Sequence, residues 1–411
     1  MPTVLQINSC ANWGSTGKIA EQINQVAATQ GWNTYIAYGR YANPCQSKTI
    51  SIGNKAQVYE HYAEHLLFDN DGLASRMATR QLIRELQRIK PDIIHLHNIH
   101  DHWLNYRILF EYLNTLDTPI VWTQHDCWSF TGGCAHFTLK GCYRWRDGGC
   151  MQKCPMNQGV GMRKIIEKTK KHYDLKRKLF TATKNMTIVP VSHWLESLER
   201  QSFLKNHRII TIHNGIDIST FRPTDAAEVR RKYGINNERF VLGVSSVWLP
   251  YKGWNDFLKL SEVLPQGIKL VMVGLNKEQV TEASRHDIIG IPRTENVKEL
   301  AALYSSAMLF CNLTYQDNYP TTNLEAMSCG TPVLTYCTGG SVEAISPETG
   351  WIVEQGDVAG VVKVIKQLAR SEESELQAQQ KACRGRAEKE FNKVDRYEEY
   401  MQLYQRLMTL S

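Results

Sequence analysis

Short apolar runs alternate with longer amphipathic stretches along almost the whole chain. Each run ends at a polar or glycine-containing turn, and the turn leads into residues with apolar positions at helical spacing. Apolar strands that alternate with helices predict parallel sheets, so the chain is predicted to be an α/β protein. The predicted strands are Val4–Ile7, Thr34–Tyr38, Ile93–Leu96, Ile120–Thr123, Thr187–Val191, Ile209–Ile212, Phe240–Val244, Lys269–Val273, Ile288–Pro292, Met308–Cys311, Val333–Tyr336 and Gly350–Val353.

Three longer stretches read as helical. Gln57–Ile89 ends at a Lys-Pro pair, and Glu375–Ser411 carries aromatic and aliphatic residues at helical spacing that are predicted to pack in a core. Arg163–Lys184 is basic, with nine Lys or Arg against two acids, which accounts for the whole net charge of +7. Its apolar face predicts either packing in a core or contact with an anionic membrane surface, and the two interpretations stay open.

The second half of the chain contains a strand, loop, helix, strand unit between Thr314 and Thr335. The helix is predicted over Thr321–Ser328. Ligands of parallel sheets bind at the carboxyl ends of strands, beside helix N-termini that favour anions. Two carboxylates bracket the loop and the helix, Asp317 and Glu325, with seven residues between them. Without further context they read as a capping Asp and a solvated helical Glu.

The whole stretch resembles the family-four glycosyltransferases, whose signature is Glu, seven residues, Glu. The resemblance implies a GT-B architecture, in which two Rossmann-like domains with parallel sheets face each other across a cleft. It assigns Asp317 to the donor sugar and Glu325 to the nucleotide ribose, with Asn323 and Leu324 in the same donor-binding motif. Asp is one methylene shorter than the Glu that the family has at the first position.

The bulk composition fits a soluble globular protein of two or three domains. The chain has 411 residues, of which 42% are hydrophobic and 22% charged. It contains no apolar run of about 18 residues and no basic start of a signal peptide, so a cytoplasmic protein is expected, either free or at the inner face of the membrane. Its eleven cysteines are then expected to be thiols or metal ligands.

The first strand leads into a Gly-containing turn that could present backbone N–H groups to a phosphate. A tight strand-to-helix turn without a ligand is the alternative. The resemblance implies that Gly14, Ser15 and Gly17 face the donor diphosphate. In the second domain a Lys on a loop can pair with phosphate, and Lys252 matches the family's diphosphate clamp. The clamp's Arg is replaced by Val247.

Two later strands of the first half end in histidines. His97, Asn98 and His100 follow one strand, and the resemblance assigns them to the acceptor, with metal binding as an alternative. His125 follows the next strand, and histidine suits proton transfer near neutral pH. The resemblance places this residue close to the transferred sugar. Asp126 is predicted either to orient its ring or to cap the following turn.

A cysteine-rich segment covers about residues 127–155. Cys134, Cys142, Cys150 and Cys154 are separated by seven, seven and three residues, and only the last pair has typical zinc-ligand spacing. A structural zinc site and free, partly buried thiols both remain open. The segment resembles an insertion in the transferases of colanic acid and related exopolysaccharides, whose Trp-Thr-x-His-Asp-Cys-Trp motif is matched from Trp122.

The predicted domains are residues 1–221 for the acceptor and 222–386 for the nucleotide-sugar, with a helix over 387–411 that returns to the first domain. The predicted function is retaining glycosyl (hexosyl) transfer from a nucleotide-diphosphate sugar to a glycan or lipid-linked acceptor of cell-surface polysaccharide biosynthesis. His125, Asp317 and Lys252 are the predicted catalytic residues. No metal cofactor is predicted for the chemistry, because Lys252 and backbone N–H groups would hold the leaving diphosphate.

Three alternatives to this function stay open. The first two are a sugar-nucleotide epimerase and a phosphorylase on the same fold. The third is a non-catalytic, zinc-containing membrane adaptor. Nucleic acid is not a predicted partner, since no recognised binding module surrounds the basic segment.

Overall fold

The computed structural model describes residues 1–146, 148–151, 154–155, 166–236 and 238–410. The chain divides into two compact units. Domain 1 comprises Met1–His213 together with the last helical residues from Tyr397 onward, and domain 2 comprises Asn214–Arg396. Both are α/β units with a central parallel sheet, which confirms the fold class predicted from the alternation of apolar runs and amphipathic stretches.

Within the described residues of domain 1, seven parallel strands form one sheet in the order β5-β3-β1-β6-β7-β8-β9. A short β2–β4 pair lies outside it. The strands are β1 Thr3–Ile7, β2 Cys10–Ala11, β3 Asn33–Tyr38, β4 Tyr41–Ala42, β5 Lys48–Ser51, β6 Ile93–Leu96, β7 Ile120–Gln124, β8 Met186–Pro190 and β9 Arg208–Ile209. The helices are α1 Gly14–Thr29, α2 Lys55–Phe68, α3 Arg76–Ile89, α4 Tyr106–Leu113, α5 Thr169–Thr181 and α6 His193–Glu199.

In the described part of domain 2, six parallel strands are ordered β12-β11-β10-β13-β14-β15. Numbered within the domain this order is 3-2-1-4-5-6, that of Rossmann folds. The strands are β10 Arg239–Val244, β11 Ile268–Val273, β12 Ile288–Ile291, β13 Leu309–Asn312, β14 Val333–Tyr336 and β15 Gly350–Val353. The helices are α7 Ala227–Lys232, α8 Trp254–Val263, α9 Lys277–Arg285, α10 Val297–Ser306, α11 Thr321–Ser328, α12 Val358–Arg370 and α13 Glu373–Arg386. The last helix, α14 Lys393–Leu410, begins in domain 2 and belongs to domain 1 from Tyr397 onward.

Two of the long helical predictions are interrupted in the structure. The region Gln57–Ile89 forms α2 and α3, separated by a turn in which Asp69 and Ser75 have positive φ angles. The region from Glu375 forms α13, one π-helical turn over Ala387–Phe391, and α14. Amphipathic periodicity continues through both interruptions, so it does not reveal where a helix ends.

The domain boundary lies earlier than the one predicted near Arg222. The segment after His213 is tied to the end of domain 2, because the Ile216 N–H donates to the Phe391 carbonyl (2.7 Å) and the Lys393 N–H donates to the Ile216 carbonyl (2.9 Å). An ion pair between Lys393 and Asp217 (2.7 Å) adds to this connection. The connecting segment is therefore part of domain 2.

The C-terminal half of α14 packs in the core of domain 1, as its aromatic spacing indicates. Tyr400 and Tyr404 are buried there with apolar residues of β1, β6, β7 and α1. Their hydroxyl groups also have buried partners: Tyr404 pairs with His95 Nδ1 (2.5 Å), and Tyr400 pairs with Thr123 Oγ1 (3.0 Å). Buried polar groups need such partners, so these pairs contribute to the specificity of the packing.

The basic helix α5 packs its apolar face inside domain 1. His172, Tyr173, Leu179 and Phe180 are all buried, so contact with a membrane through this face conflicts with the structure. Lys176 is buried as well. Its ammonium donates to the Trp128 carbonyl (2.7 Å), and burial lowers its pKa to about 7. Residues 163–165 of the basic segment lie outside the described residues. Across the described chain no helix combines the length and apolarity needed to cross a bilayer.

Candidate active site

In both sheets the strand order reverses beside the first strand of the domain. Strand β1 lies between β3 and β6, and β10 lies between β11 and β13. In sheets of this kind, ligands bind beyond the carboxyl ends of the strands at the reversal. The loops that follow β1 and β6 in domain 1, and β10 and β13 in domain 2, are therefore the positions where a site is expected.

In domain 2 these loops bring Lys252 and Asp317 into contact. The Nζ of Lys252 lies 2.7 Å from Oδ2 of Asp317, and both side chains remain partly exposed. The loops are also joined through their backbones, because the Tyr315 N–H donates to the Tyr251 carbonyl (2.7 Å). The predicted phosphate-binding cation and the predicted sugar-side acid thus form one ion pair.

Gly253 allows the Lys252 loop to pack this closely. Its φ of +82° lies in the left-handed region, and a Cβ at this position would lie 2.3 Å from the Leu313 carbonyl oxygen. Real side chains do not approach a backbone oxygen so closely, so only glycine fits here. The position of Lys252 against the loop after β13 therefore depends on its glycine neighbour.

Helix α11 begins at Thr321, directly after Pro320, as predicted. Proline at the N-cap has no side-chain acceptor, and the Asn323 N–H donates to the Pro320 carbonyl (3.2 Å). The N–H groups of Thr321 and Thr322, at the first two helical positions, are those that point toward an anion site. Glu325 is partly exposed on this helix, and its Oε2 accepts a hydrogen bond from the Tyr304 hydroxyl (3.0 Å). Burial and the neighbouring Glu325 raise the pKa of Tyr304 well above its ordinary value, so the phenol remains a donor.

Asn323 and Leu324 are fully buried, which differs from their predicted contact with the donor. The Asn323 amide donates to Ser341 Oγ (3.0 Å) and accepts from Asn312 Nδ2 (2.9 Å), so its side chain connects α11 to the neighbouring strands. Leu324 packs in the core because the helix needs an apolar face. Both residues position α11, and neither side chain reaches its exposed N-terminus.

The structure shows which groups lie near the position of the clamp's missing Arg. Val247 is 55% exposed and supplies no charge, so Lys252 is the cation that the structure places beside Asp317. Gln316 was not predicted. Its Nε2 is buried and has no hydrogen-bond partner within the described part of the protein, and it precedes Asp317 directly. A buried donor without a partner is costly, which marks this amide as available for a ligand oxygen.

In domain 1 the helix after β1 begins within the glycine-containing turn itself. Helix α1 starts at Gly14, so Gly14 and Ser15 are exposed in its first turn, where N–H groups have no partner within the helix. Gly17 is buried, and a Cβ there would lie 3.1 Å from the Cys10 carbonyl oxygen. Gly17 therefore serves close packing, whereas Gly14 and Ser15 keep the geometry of an anion site.

His125 is held by a chain of hydrogen bonds that starts at Gln6. The Gln6 amide N–H groups donate to the Ala20 carbonyl (2.8 Å) and Asn24 Oδ1 (2.6 Å), so its oxygen must accept. His97 Nε2 therefore donates to Gln6 Oε1 (2.6 Å), and His97 Nδ1 accepts from His125 Nε2 (3.0 Å). This chain assigns the proton of neutral His125 to Nε2 and leaves Nδ1 as its basic nitrogen.

Burial is the main cause that lowers the pKa of His125 to about 4, and it also lowers the pKa of His97 well below its ordinary value. Both rings are thus neutral near pH 7. His97 is buried and uses both ring nitrogens internally, so direct contact with an acceptor, as predicted, conflicts with the structure. Because it links Gln6 to His125 by hydrogen bonds, His97 is a positioning residue for His125.

Asp126 pairs with His100 instead of orienting His125. His100 Nε2 donates to Asp126 Oδ2 (2.8 Å), and the other carboxylate oxygen accepts from the Trp128 N–H (2.8 Å), which caps the following turn as the alternative prediction had it. Although burial opposes the charge, Asp126 and Asp101 hold the pKa of His100 well above its ordinary value. Asn98 donates its N–H to Asn8 Oδ1 (3.1 Å), which joins the loops after β1 and β6.

Comparison with known proteins assigns this arrangement to a family. The model described as "Glycosyltransferase Family 4" matches residues 19–220, and the one described as "Glycosyl transferases group 1" matches residues 225–385. The protein belongs to the family-four glycosyltransferases. These family models describe transferases and give no support to an epimerase, a phosphorylase or a non-catalytic adaptor.

Individual relatives agree with this assignment. The glycosyltransferase is 28% identical over 381 residues to the putative colanic acid biosynthesis glycosyl transferase WcaC of Escherichia coli K12, covering 88% of this chain and 90% of that one. It shares its fold with a sucrose-phosphate synthase from Thermosynechococcus elongatus (TM-score 0.75, 16% identity, all of both chains). It also shares it with Anabaena HepE in complex with UDP-glucose (TM-score 0.64, 14% identity, 98% of this chain and 99% of that one).

The four predicted zinc ligands of the glycosyltransferase are neighbours in domain 1, near enough for their thiols to influence one another. Cys134 is hydrogen-bonded to Cys154, and the pKa of its thiol is raised by this bond, by burial and by the thiols of Cys154, Cys150 and Cys142. Burial and the same neighbours raise the pKa of Cys150 to about 11. None of the four cysteines forms a disulfide. Four cysteine sulfurs are a ligand set that structural zinc prefers, so the chemistry of these residues fits the metal. Their described spacing is wider than that of a bound ion, because no three of these sulfur atoms lie within 4.8 Å of one another.

Gln6 and Tyr304 are the positioning residues that sequence reasoning missed. A signal existed for Gln6, because an amide within the apolar run Val4–Ile7 needs a buried partner. Tyr304 carried no such signal, since its helical spacing is also that of a core residue, and its hydroxyl finds Glu325 only after both helices have packed.

Proposed function

We propose that this glycosyltransferase moves a sugar, with retention of anomeric configuration, from a nucleotide-diphosphate sugar to a glycan or lipid-linked acceptor of polysaccharide biosynthesis. The names of relatives support the two substrates: WcaC is described for colanic acid biosynthesis, and HepE was solved with UDP-glucose. The observation that carries the proposal is the Lys252–Asp317 pair next to the uncapped first turn of α11.

The donor site is proposed in domain 2. The first-turn N–H groups of α11, Lys252 and the Gln316 amide would bind the diphosphate, where negative charge grows as the sugar leaves. Glu325, held by Tyr304, would accept the ribose hydroxyl groups. Asp317 would then lie on the sugar side of Lys252, where a carboxylate stabilises positive character at the anomeric carbon.

Domain 1 is proposed to supply His125 for the sugar and acceptor, with Asn98 and His100 as acceptor contacts. Neutral His125 would serve as the proton-transfer group for the acceptor hydroxyl. The exposed N–H groups of Gly14 and Ser15 would add donors for phosphate oxygens. Because cationic and backbone groups serve the leaving group, the chemistry is proposed to need no metal ion, and added Mg²⁺ or Mn²⁺ should leave kcat unchanged.

The four clustered cysteines are proposed to hold a structural zinc ion that orders the 127–155 insertion. The enzyme is proposed to be cytoplasmic and to contact the inner face of the membrane through the exposed basic face of α5, which carries Lys170, Lys171, Arg177 and Lys178. Binding to anionic vesicles that persists after these four residues are neutralised would disprove that contact.

A donor screen followed by a transfer assay tests the main proposal. Nucleotide-sugars are first ranked by the rise in melting temperature that they cause in the full-length protein, since ligand binding stabilises the native state. The best donor is then incubated with candidate acceptors, and nucleotide release that depends on the acceptor is expected. Glu325→Gln should abolish the donor-induced shift, while Glu262→Gln, an exposed carboxylate elsewhere in domain 2, should retain it. A full shift in Glu325→Gln would contradict the donor site.

A further inference from the structure

A second group of metal-binding side chains lies in domain 1, apart from the cysteines. His65 comes from the last turn of α2, Asp71 from the turn that follows, and His102 from the loop after β6. One ligand atom of each residue lies within 4.8 Å of those of the other two. Among the residues that the structure describes, this is the only set of three His, Cys, Asp or Glu ligand atoms at such spacing.

The ring of His102 is held in place for this arrangement. It packs edge-on against His61 and Tyr62 (both 5.4 Å between ring centroids), and it is tilted against the ring of His65 (4.9 Å). The backbone of His102 has a φ of +64°. For a residue other than glycine this conformation costs of order 1 kcal/mol or more, and such strain concentrates at functional sites. The loop thus directs this ring toward α2.

The contact between His102 and Asp71 is too long for a hydrogen bond. His102 Nε2 lies 3.9 Å from Asp71 Oδ1, and this buried nitrogen has no hydrogen-bond partner among the described residues. Two ligands of a tetrahedral zinc ion, each about 2.1 Å from it, lie about 3.4 Å apart. The observed separation is about 0.5 Å longer than that, so a small movement of the two side chains would let both atoms bind one cation.

Neighbouring groups orient the carboxylate and limit the ligand set. Asp71 Oδ2 accepts a hydrogen bond from Trp128 Nε1 (3.4 Å), which is the outer-shell contact expected of a metal-binding carboxylate. His61 is not a fourth ligand, because its Nδ1 pairs with Ser75 Oγ (2.8 Å) and its Nε2 accepts from the Gly72 N–H (3.1 Å). The ligand set is therefore two imidazoles and one carboxylate.

We propose that His65, Asp71 and His102 bind a divalent transition-metal ion of the zinc class. Imidazole with carboxylate is a ligand set of zinc and its neighbours in the first transition row, and it is poorly suited to calcium or magnesium. The ion would join α2 and its following turn to the loop after β6. That loop also carries His97, Asn98 and His100, so the metal would hold the histidine-bearing loop in place from outside the candidate active site.

Metal analysis of the full-length protein tests this proposal with matched variants. His102→Phe keeps a ring among its aromatic neighbours and removes the ligand nitrogen. Asp71→Asn keeps an acceptor for Trp128 and removes the charge. His193→Phe, at an exposed histidine in the same domain, is the control. After dialysis against zinc, both ligand variants are expected to hold one equivalent less than the wild-type protein and the control.

Cobalt substitution separates this site from the cysteine cluster. Thiolate ligands give cobalt an intense charge-transfer absorption, whereas a site of imidazole and carboxylate gives only ligand-field bands. The two ligand variants should lose the ligand-field contribution and keep the thiolate band. Equal zinc content and identical cobalt spectra in wild type, His102→Phe and Asp71→Asn would overturn the proposal and leave an ordinary His–Asp contact.

Discussion

Lys252 Nζ lies 2.7 Å from Asp317 Oδ2, so two residues with separately predicted roles form one ion pair. The donor phosphate has to bind beside a cation that already has an anionic partner. The pair holds Lys252 in one position before the donor arrives, and this pre-organisation reduces the entropy that binding must overcome. Asp317 thus influences the diphosphate through Lys252 as well as the sugar directly.

Substitution of the two partners should therefore give different kinetics. Lys252→Met removes the cation that stabilises the leaving diphosphate, and we expect kcat to fall by about 100-fold or more, as for other single electrostatic groups of this kind. Asp317→Asn keeps the size of the side chain and leaves Lys252 without its anion, so kcat should fall while the KM for the donor stays the same or decreases. Steady-state kinetics with varied donor measure both effects. Lys259→Met, an exposed lysine of the same domain, is the control.

Gly253 should tolerate no side chain. Gly253→Ala introduces a Cβ at 2.3 Å from the Leu313 carbonyl, in addition to the strain at a φ of +82°. We expect a loss of about 2 kcal/mol or more in the free energy of unfolding, together with weaker donor binding. Gly267→Ala is the matched control, because Gly267 has a φ of +81° and nothing within 4 Å of its Cβ position. Denaturant unfolding of both variants measures how much free energy of unfolding each one loses, and the difference is the contribution of the steric clash. Equal losses in the two variants would contradict this explanation.

Gln6 should affect catalysis without contacting substrate. Gln6→Leu removes the oxygen that accepts the His97 Nε2–H. Without it, nothing fixes which nitrogen of His97, and hence of His125, carries the proton. We expect kcat to fall by about tenfold, with little change in the donor KM. This is less than the roughly 100-fold or more that a complete acid–base group contributes, because His125 itself is still present. A loss of about 1–3 kcal/mol in stability should accompany it, from the unsatisfied buried donor. Gln30→Leu, on the exposed end of α1, is the control, and an unchanged kcat in Gln6→Leu would refute the chain.

The neutral histidines predict that stability falls in acid. Burial lowers the pKa of folded His125 to about 4, whereas the unfolded value is near 6.5. Between these values the unfolded chain binds more protons, so the contribution of His125 is complete above about pH 6.5 and is lost as pH falls toward 4. Melting temperatures measured from pH 7.5 to 4.5 should decline in this range. In His125→Gln the decline should be smaller, and an identical decline would contradict the shifted pKa.

Tyr304 tests whether Glu325 needs its orienting hydrogen bond. Tyr304→Phe keeps the buried ring and removes the hydroxyl that donates to Glu325 Oε2. We expect weaker donor binding, by about 1.5–3 kcal/mol as for a hydrogen bond to a charged group, with kcat little affected at saturating donor. Isothermal titration with the nucleotide product measures this loss. Tyr233→Phe removes a similar hydroxyl-to-carboxylate bond, to Glu299, elsewhere in domain 2 and should leave binding unchanged.

The sequence by itself determined the α/β class, most of the strands and helices in their order, and the acid-flanked segment. The short strands β2, β4 and β5 were not predicted. The strand Val333–Tyr336 and the helix Thr321–Ser328 have the predicted bounds, since apolar runs, Pro320 and Gly330 act within a few residues of the chain. Such local signals do not depend on what packs against them. Family membership followed from the same segment for that reason.

Only the tertiary structure decided which polar side chains face a ligand and which face each other. His97 and Asn323 occupy motif positions, yet both are buried and have their hydrogen-bond partners within the protein. Lys176 is also buried, although a lysine of a basic helix is expected to face solvent. His65, Asp71 and His102 are brought together from three segments of the chain. Hydrogen bonds and metal-ligand spacing depend on distances between residues far apart in sequence, and those distances are set by the packing of helices on the sheet.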